Sequence, residues 1–496
     1  MGIVIRQSIK GTVVTCVGAL IGFATTMFVV TGLLSPEDIG LTKVVLEVGL
    51  MFAGLAQLGT SSSIVRFFPY FKDGKGNNGF FFYIMALPFV GCLLFTMLYL
   101  VLKEPVTDFF IAKSALFVDY YYWVIPLIVF AAYLVVLETY ANANMRISVP
   151  KLNREVFIRV LTLLVYLLYG YHVVGRDGLV AGVIAVQGLA MLFMFFYVPK
   201  VGSVSLRYNI ASVSKPLRRD VFRYSMFLIA GALGGSILNR LDLLMVSSHL
   251  GLEQAGVFTI AFYIATVVEI PSRSITAITS PLAADALKEG NFQAAKILYQ
   301  KVALNQLLVG GCVFLLIWIN IDNLFAIIPN GAAYKAGKWV VFFIGMSKLV
   351  SVTLGFGGVL ISFSRYYYWS LYFTFIIVAI GIVTNNLLIP AWGISGAAVA
   401  TALSCLLSYA VQQWIVQRKV KSTPYTFGMV KLIAIFLVVA GVNHFLASFG
   451  NPWVDAIYRT AIASSVSVAL LYFLKVSDEL NSTVRTILKR IFGKKA

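Results

Sequence analysis

Charge is what this chain has least of. Only 12% of its 496 residues are Asp, Glu, Lys or Arg, against 60% apolar, which places it outside the composition of soluble domains. Histidines number three, His172, His249 and His444, scattered near one face without zinc-ligand spacing. The four cysteines, Cys16, Cys92, Cys312 and Cys405, fall in separate apolar runs with no CxxC pair, so neither a disulfide framework nor a thiolate metal site is indicated. No GxxxxGK[ST] phosphate loop occurs, which speaks against ATP-driven work by this chain alone. A glycolipid-handling enzyme is the main competing class, yet the longest outer loop offers only Glu104, Asp108 and Asp119 at uneven spacing and no paired acidic motif. The reading is therefore not an enzyme, with no metal and no cofactor.

What the chain does have is long apolar runs. At about 20 residues per crossing, spans are predicted near 11–34, 41–65, 79–102, 121–145, 155–175, 178–199 and 221–248. Further spans follow near 255–282, 301–321, 337–361, 366–389, 391–417, 427–449 and 453–475. The fold class is thus an all-α polytopic membrane protein of about 14 transmembrane helices, organised as six, six and two. Arg6 and Lys10 precede the first run as in a signal peptide, but that run is too long and has no cleavage site before SPED, so it reads as a retained span.

An even count puts both termini on one side. Lys and Arg number 29 on the loops of that side and 7 on the other, with Arg240, Arg273 and Lys348 inside spans. This bias makes the first face cytoplasmic, and it accounts for the net charge of +19 without nucleic acid. The tail sets Leu480, Val484, Leu488 and Phe492 beside Arg485, Lys489 and Arg490, the pattern of a surface helix on anionic lipid.

The region from Phe222 to Leu287 concentrates the intramembrane charge: Arg240, Asp242, Glu269 and Arg273. At a bilayer centre each costs roughly 2.5 to 3.5 kcal/mol, so such residues face a bundle interior or a wet cavity. The region also repeats the start of the chain. GAL at Gly18 recurs at Gly231, the turn from Leu33 recurs from His249 with Glu37 over Glu253 and Gly40 over Gly256, and GLVAGVIA from Gly178 matches GISGAAVA from Gly393. Matches at nearly one offset in both halves point to a duplicated bundle.

Several local features refine this plan. Glycines and small residues along span one permit close packing or bending. Gln57, Ser61, Ser62 and Ser63 read either as cavity lining or as bonds to neighbouring helices. The cluster Tyr120 to Trp123 suits an interfacial belt. Glu269 and Arg273 are four apart, with Pro271 between, so they read as an ion pair or as a transport site beside a proline kink. Arg240 and Asp242 point about 200° apart round a helix and so seek different partners. The segment AADALKEGNFQAAKILYQK reads as an amphipathic helix lying on the membrane. Spans thirteen and fourteen read as an appended pair without buried charge.

IRQSIKGTVVTCVGALIGFATTMFVVTGLLSPEDIGL, FAGLAQLGTSSSIVRFFPYF, EIPSR from Glu269 and WGISGAAVAT from Trp392 together resemble the polysaccharide flippase branch of the multidrug/oligosaccharidyl-lipid/polysaccharide (MATE-like) exporter superfamily. The resemblance implies a V-shaped pair of six-helix lobes, here residues 1–200 and 221–418. They are joined by a basic cytoplasmic linker, 201–220, and followed by an additional pair, 419–476, and a basic amphipathic tail, 477–496. It implies alternating access that carries an undecaprenyl-diphosphate-linked oligosaccharide from the cytoplasmic to the periplasmic leaflet of the inner membrane, for O-antigen, lipopolysaccharide or exopolysaccharide. A polymerase and chain-length machinery would be partners beside membrane lipids, and H+ or Na+ the coupling ion. Arg240, Arg273, Lys348 and, at the mouth, Arg66 would meet the diphosphate; Glu269, Asp242 and Glu138 would couple the ion. A drug/cation antiporter and a peptidoglycan-precursor flippase are the rival readings.

Overall fold

The computed structural model describes residues 14–15, 17–68, 77–201, 234, 236–237, 240–366, 368–474 and 476. The cytoplasmic linker, the repeated GAL at Gly231, most of span seven and the basic tail lie outside these residues. Among the described residues all regular structure is helical. Two compact units emerge, Met1–Thr259 and Ile260–Ala496.

The first unit begins with α1 (Val17–Leu33), whose second half is a π turn over Thr25–Val30. α2 (Pro36–Ala56) starts as sequence chemistry dictates: Ser35 caps it by accepting from the Asp38 N–H at 3.1 Å, Pro36 occupies the first turn, and Glu37 and Asp38 suit the positive helix end. It stops where Leu58 and Gly59 adopt positive φ, and α3 (Thr60–Phe67) follows. There the polar stretch closes the break on itself, with Thr60 Oγ1 donating to the Gln57 carbonyl and Ser61 Oγ to the Gln57 side chain, both at 2.5 Å. α4 (Asn77–Val101), α5 (Lys103–Asp119), α6 (Val124–Ala143), α7 (148–170) and α8 (Arg176–Tyr197) complete the first set. Its core lies between α2, α6 and α8, around Leu41, Val44, Leu127, Ile128, Ala131 and Val180.

Two expectations change here. The outer segment after span three is a helix, α5, bent at Ser114 (φ −133°, ψ 44°) rather than a loop. Ser114 Oγ donates to the Ser247 carbonyl at 2.6 Å, tying α5 to α9 (Leu241–Leu250). The Tyr120–Trp123 cluster is split: Tyr122 and Trp123 are exposed as a belt requires, but Tyr121 is wholly buried and stacks on Tyr99 at 4.2 Å.

α9 and α10 (Leu252–Thr266) contain the turn that the repeat matched to the start of α2, and these two turns meet. A Cβ on Gly40 would lie 1.9 Å from the Leu252 carbonyl oxygen, and one on Gly256 1.8 Å from the Pro36 oxygen. Each repeat glycine thus seats the backbone of the other repeat, so neither position admits a side chain. Gly40→Leu and Gly256→Leu are each expected to force α2 and α10 apart. Cysteines placed at Glu37 and Glu253 report this as slower disulfide formation than in the unsubstituted background. Equal rates would show that the glycine contact does not hold the turns together.

The second unit runs through the 3-10 turn Val267–Glu269 into α11 (Ile270–Lys288), then α12 (Phe292–Ile319), α13 (Ile321–Ile327), α14 (Lys338–Leu354) and α15 (Phe356–Phe363). α16 (Trp369–Ile415) breaks at Gly393, whose φ of +59° follows Pro390, so one long helical stretch is two spans. α17 (Phe427–His444) and α18 (Pro452–Phe473) close the chain. The predicted amphipathic helix at 283–301 is not a separate element: α11 continues to Lys288, Gly290 turns the chain at φ +70°, and Asn291 caps α12 by accepting from Ala294 N–H at 2.9 Å.

α17 and α18 are built into this unit's core. Leu432, Ile435, Val439 and Ala463 are buried with Tyr299, Ala303 and Val416, while Val430, Leu437 and Val468 face outward, as a lipid-facing surface requires. The pair does carry buried charge, contrary to expectation. Asp455, 5% exposed in its side chain, meets Arg459 at 2.6 Å, and the spacing of four puts both on one helix face. Asp455→Ala would strand that guanidinium and is expected to cost about 3–5 kcal/mol, read as a lower unfolding midpoint in purified protein. An unchanged midpoint would show the pair to be idle.

Ten helices among the described residues are long and apolar enough to cross a membrane, with Val17–Leu33 and Leu241–Leu250 as shorter apolar ones. Adding the continuous helix 148–170 and dividing α16 at Gly393 gives a helix at each of the fourteen predicted spans. The protein is a multi-pass, all-helical membrane protein.

Candidate functional site

In the first unit the structure gives two of the sequence-predicted charges partners that local spacing could not name. Arg240 precedes α9 and its Nε lies 3.0 Å from Glu47 Oε2 on α2, while Nη1 donates to the Ser236 carbonyl at 3.0 Å. The Nε contact is an ion pair without an aligned hydrogen bond, because that buried N–H has no acceptor in line. Asp242 sits in the first turn of α9, where the helix end favours a carboxylate.

Glu138 on α6 is buried, and its Oε2 accepts from Arg154 Nη2 at 2.6 Å. Its other oxygen, Oε1, is buried without an aligned hydrogen bond among the described residues, with the Asn153 side chain nearby. Arg154 projects from a π turn over Asn153–Phe157 near the start of α7, and its side chain is 56% exposed. Arg66, in the last turn of α3, is exposed with its guanidinium 5.4 Å from the Phe67 ring centre. A cation there complements the helix C-terminus.

In the second unit Glu269 pairs with Lys348 of α14 at 3.1 Å, not with Arg273. The reason is local. The 3-10 turn over Val267–Glu269 ends α10 and resets the phase before α11, whose first turn holds Pro271. Residues four apart face one another only along an uninterrupted α-helix. Lys348 also lies 5.6 Å from the centre of the Phe262 ring, within cation–π range. One helix over, Ser351 Oγ and Tyr409 Oη are 2.8 Å apart. Arg273 is exposed and has no ion-pair partner among the described residues. A guanidinium in a predicted span, without an ion-pair partner among the described residues, is equipped to receive an anion.

Sequence reasoning gave no role to Glu47 or Arg154, nor to the outer cluster in which Arg176 Nε meets Asp38 at 2.8 Å and Tyr169 Oη donates to Asp38 at 2.9 Å. That cluster ties together the outer ends of α2, α7 and α8. The only sequence signal for Glu47 was a lone carboxylate inside an apolar run.

Many apolar spans, intramembrane charges held in pairs and a broken helix at the charged pair are features found together in multi-helix membrane transporters. The chain belongs to the polysaccharide biosynthesis protein family, whose profile matches residues 5–283. Among solved structures, the lipid II flippase MurJ in an inward closed conformation is similar with a TM-score of 0.71 at 12% identity, over 95% of this chain and 100% of that one. An inward-facing multidrug resistance MATE family transporter of the MOP superfamily gives 0.61 at 17% identity, over 82% and 94%. A MOP superfamily transporter from Pyrococcus furiosus gives 0.53 at 16% identity, over 85% and 96%. No curated protein matches the chain. The fold is the one these solved flippase and transporter structures share.

Proposed function

We propose that the protein carries undecaprenyl-diphosphate-linked oligosaccharide repeat units from the cytoplasmic to the periplasmic leaflet of the inner membrane by alternating access, for surface polysaccharide synthesis. Membership of the polysaccharide biosynthesis family and the flippase and transporter fold support a lipid-linked glycan as cargo. The observation that carries the reading is Arg273, an exposed guanidinium without an ion-pair partner among the described residues, four positions after Glu269 of the Glu269–Lys348 pair. A diphosphate crossing a low-dielectric region needs such a countercharge, and a guanidinium binds phosphate oxygens bidentately. Lys348 and Arg240 start from carboxylate-bound states, so the diphosphate would have to compete with Glu269 and Glu47 for them. Arg66 would act at the cytoplasmic mouth.

Ion coupling is assigned to Glu269, whose proton or Na+ occupancy would free Lys348, with Glu138 and Asp242 as further groups. The 29-to-7 distribution of basic residues supports an orientation with both termini in the cytoplasm. A polymerase and chain-length machinery would act on the delivered repeat unit. A cation antiporter would need an available carboxylate in the first unit; Glu138 is the residue for it, and its pairing with Arg154 weighs against that use. A peptidoglycan-precursor flippase would share the diphosphate, but Val17–Leu33 holds none of the basic residues that would favour it.

The test is a proteoliposome assay with a fluorescent polyprenyl-diphosphate oligosaccharide and a membrane-impermeant quencher. Protein-dependent loss of quencher-accessible signal is expected. No transfer of this probe, with active efflux of a cationic dye, would overturn the reading.

A further inference from the structure

A cavity of about 410 Å³ opens at the end of the second unit where α12 finishes, α14 begins, α17 ends and α18 starts. On the orientation proposed above this is the periplasmic face. None of the residues assigned to transport lines it. Its volume lies within the range of about 300–1,000 Å³ usual for small-molecule sites.

The polar groups around it are fixed in place. Asp455 accepts from Asn323 Nδ2 at 2.7 Å, from Arg459 Nε at 2.6 Å and from the Phe449 N–H at 2.9 Å, while Arg459 Nη1 donates to Asn443 Oδ1 at 2.9 Å. Across the cavity Lys338 Nζ meets both oxygens of Asp322, at 2.8 and 2.7 Å. Besides the His444 imidazole, which also lines the cavity, two cations are thus balanced by two carboxylates. With that imidazole neutral, such a lining offers no excess positive charge to a phosphate. Nor is a metal ion served, since both carboxylates are already engaged. It is too polar for an acyl chain.

Beside these groups stands an aromatic wall. Trp318 packs on Trp339 and Phe342, with centroids 5.7 and 4.7 Å away, and Lys338 Nζ sits 5.8 Å from its ring. The amide oxygen of Asn323 and Nη2 of Arg459 make no hydrogen bond among the described residues. An immobilised amide acceptor, a planar donor and an indole, in a pocket whose lysine and arginine are matched by two aspartates, suit a ligand that is polar at its rim and apolar on its faces.

The geometry points to a binding site for a neutral saccharide, one or two pyranose rings in size, on the periplasmic side of the second unit. α17 and α18 supply half of it. The added helix pair therefore does more than cover the bundle: it completes a glycan subsite separate from the intramembrane charges. The ligand class rests on the pocket's own chemistry and goes beyond the translocation reading.

The experiment uses full-length protein in lipid nanodiscs, free of glycosidic detergents whose head groups would compete. Saturation-transfer NMR is recorded with maltotriose, cellotriose, mannotriose and chitotriose, and displacement is attempted with inorganic phosphate. Saturable transfer to at least one trisaccharide, undiminished by phosphate, is expected. Ser448 lies in the exposed turn lining the cavity, and Ser448→Trp puts an indole at that lining while leaving every side chain of the Asp455 network in place. Ser448→Trp and Trp318→Ala should each weaken binding about tenfold or more, with unfolding midpoints recorded to confirm intact protein. No saturable transfer from any trisaccharide, equal transfer in Ser448→Trp, or displacement by phosphate would overturn the assignment. Because no transport is measured, failure here leaves translocation untouched, and loss of translocation leaves this site standing.

Discussion

Arg273→Ala is expected to insert and fold like the parent chain and to lose translocation of a diphosphate-linked glycan at least tenfold. Both halves follow from the same observation. The side chain is exposed and holds no ion-pair partner among the described residues, so truncation strands no buried carboxylate. A charge-assisted bond to a phosphate oxygen contributes about 1.5–3 kcal/mol, and every 1.4 kcal/mol is about tenfold. Arg273→Lys retains the charge but not the planar fork, and should fall between the two. Initial rates of probe transfer in proteoliposomes, normalised to incorporated protein, read the effect. A parent-like rate in Arg273→Ala would remove this residue from the cargo path.

The Glu269–Lys348 pair predicts a different signature. Lys348→Met leaves the Glu269 carboxylate, 34% exposed, without its countercharge in a span, so the level of folded protein should drop. Lys348→Met/Glu269→Met removes both charges and should restore that level, since replacing an internal ion pair by apolar groups is often neutral or stabilising. Transport should stay lost in the double variant, because the pair's work is to part and re-form as cargo and ion arrive. A structural pair would behave otherwise, with the double variant recovering transport along with folded protein. Glu269→Gln alone should change the dependence of transport on pH or Na+, and an unaltered dependence would exclude it as a coupling residue.

The fourteen spans were legible because run length and the bias of basic residues are properties of composition along the chain. Pairings were not. Glu47 and Arg240 are far apart in sequence, and nothing in the neighbourhood of either names the other. The Glu269–Arg273 spacing pointed to a mutual pair, and it misled because a 3-10 turn ends at Glu269 itself. Asp455 and Arg459 stood at the spacing of a helical pair in the sequence but at a span end, where charges ordinarily face water; the packing of α18 buries them. In α5 the outer segment hid a helix because Pro105 and its mixed polarity resemble a loop, and its bend at Ser114 depends on a partner carbonyl at Ser247. Gly40 and Gly256 were recognised as equivalent repeat positions. That they touch is a fact of the fold.

The central claim is that this chain moves a lipid-linked glycan, and the most direct measurement is deletion of its gene in the native host. Surface polysaccharide and undecaprenyl-linked intermediates are then quantified together. The account predicts loss of one surface glycan with its lipid-linked repeat unit accumulating on the cytoplasmic side, restored by the parent gene and not by Arg273→Ala. An intact set of surface glycans with heightened sensitivity to cationic drugs would contradict it.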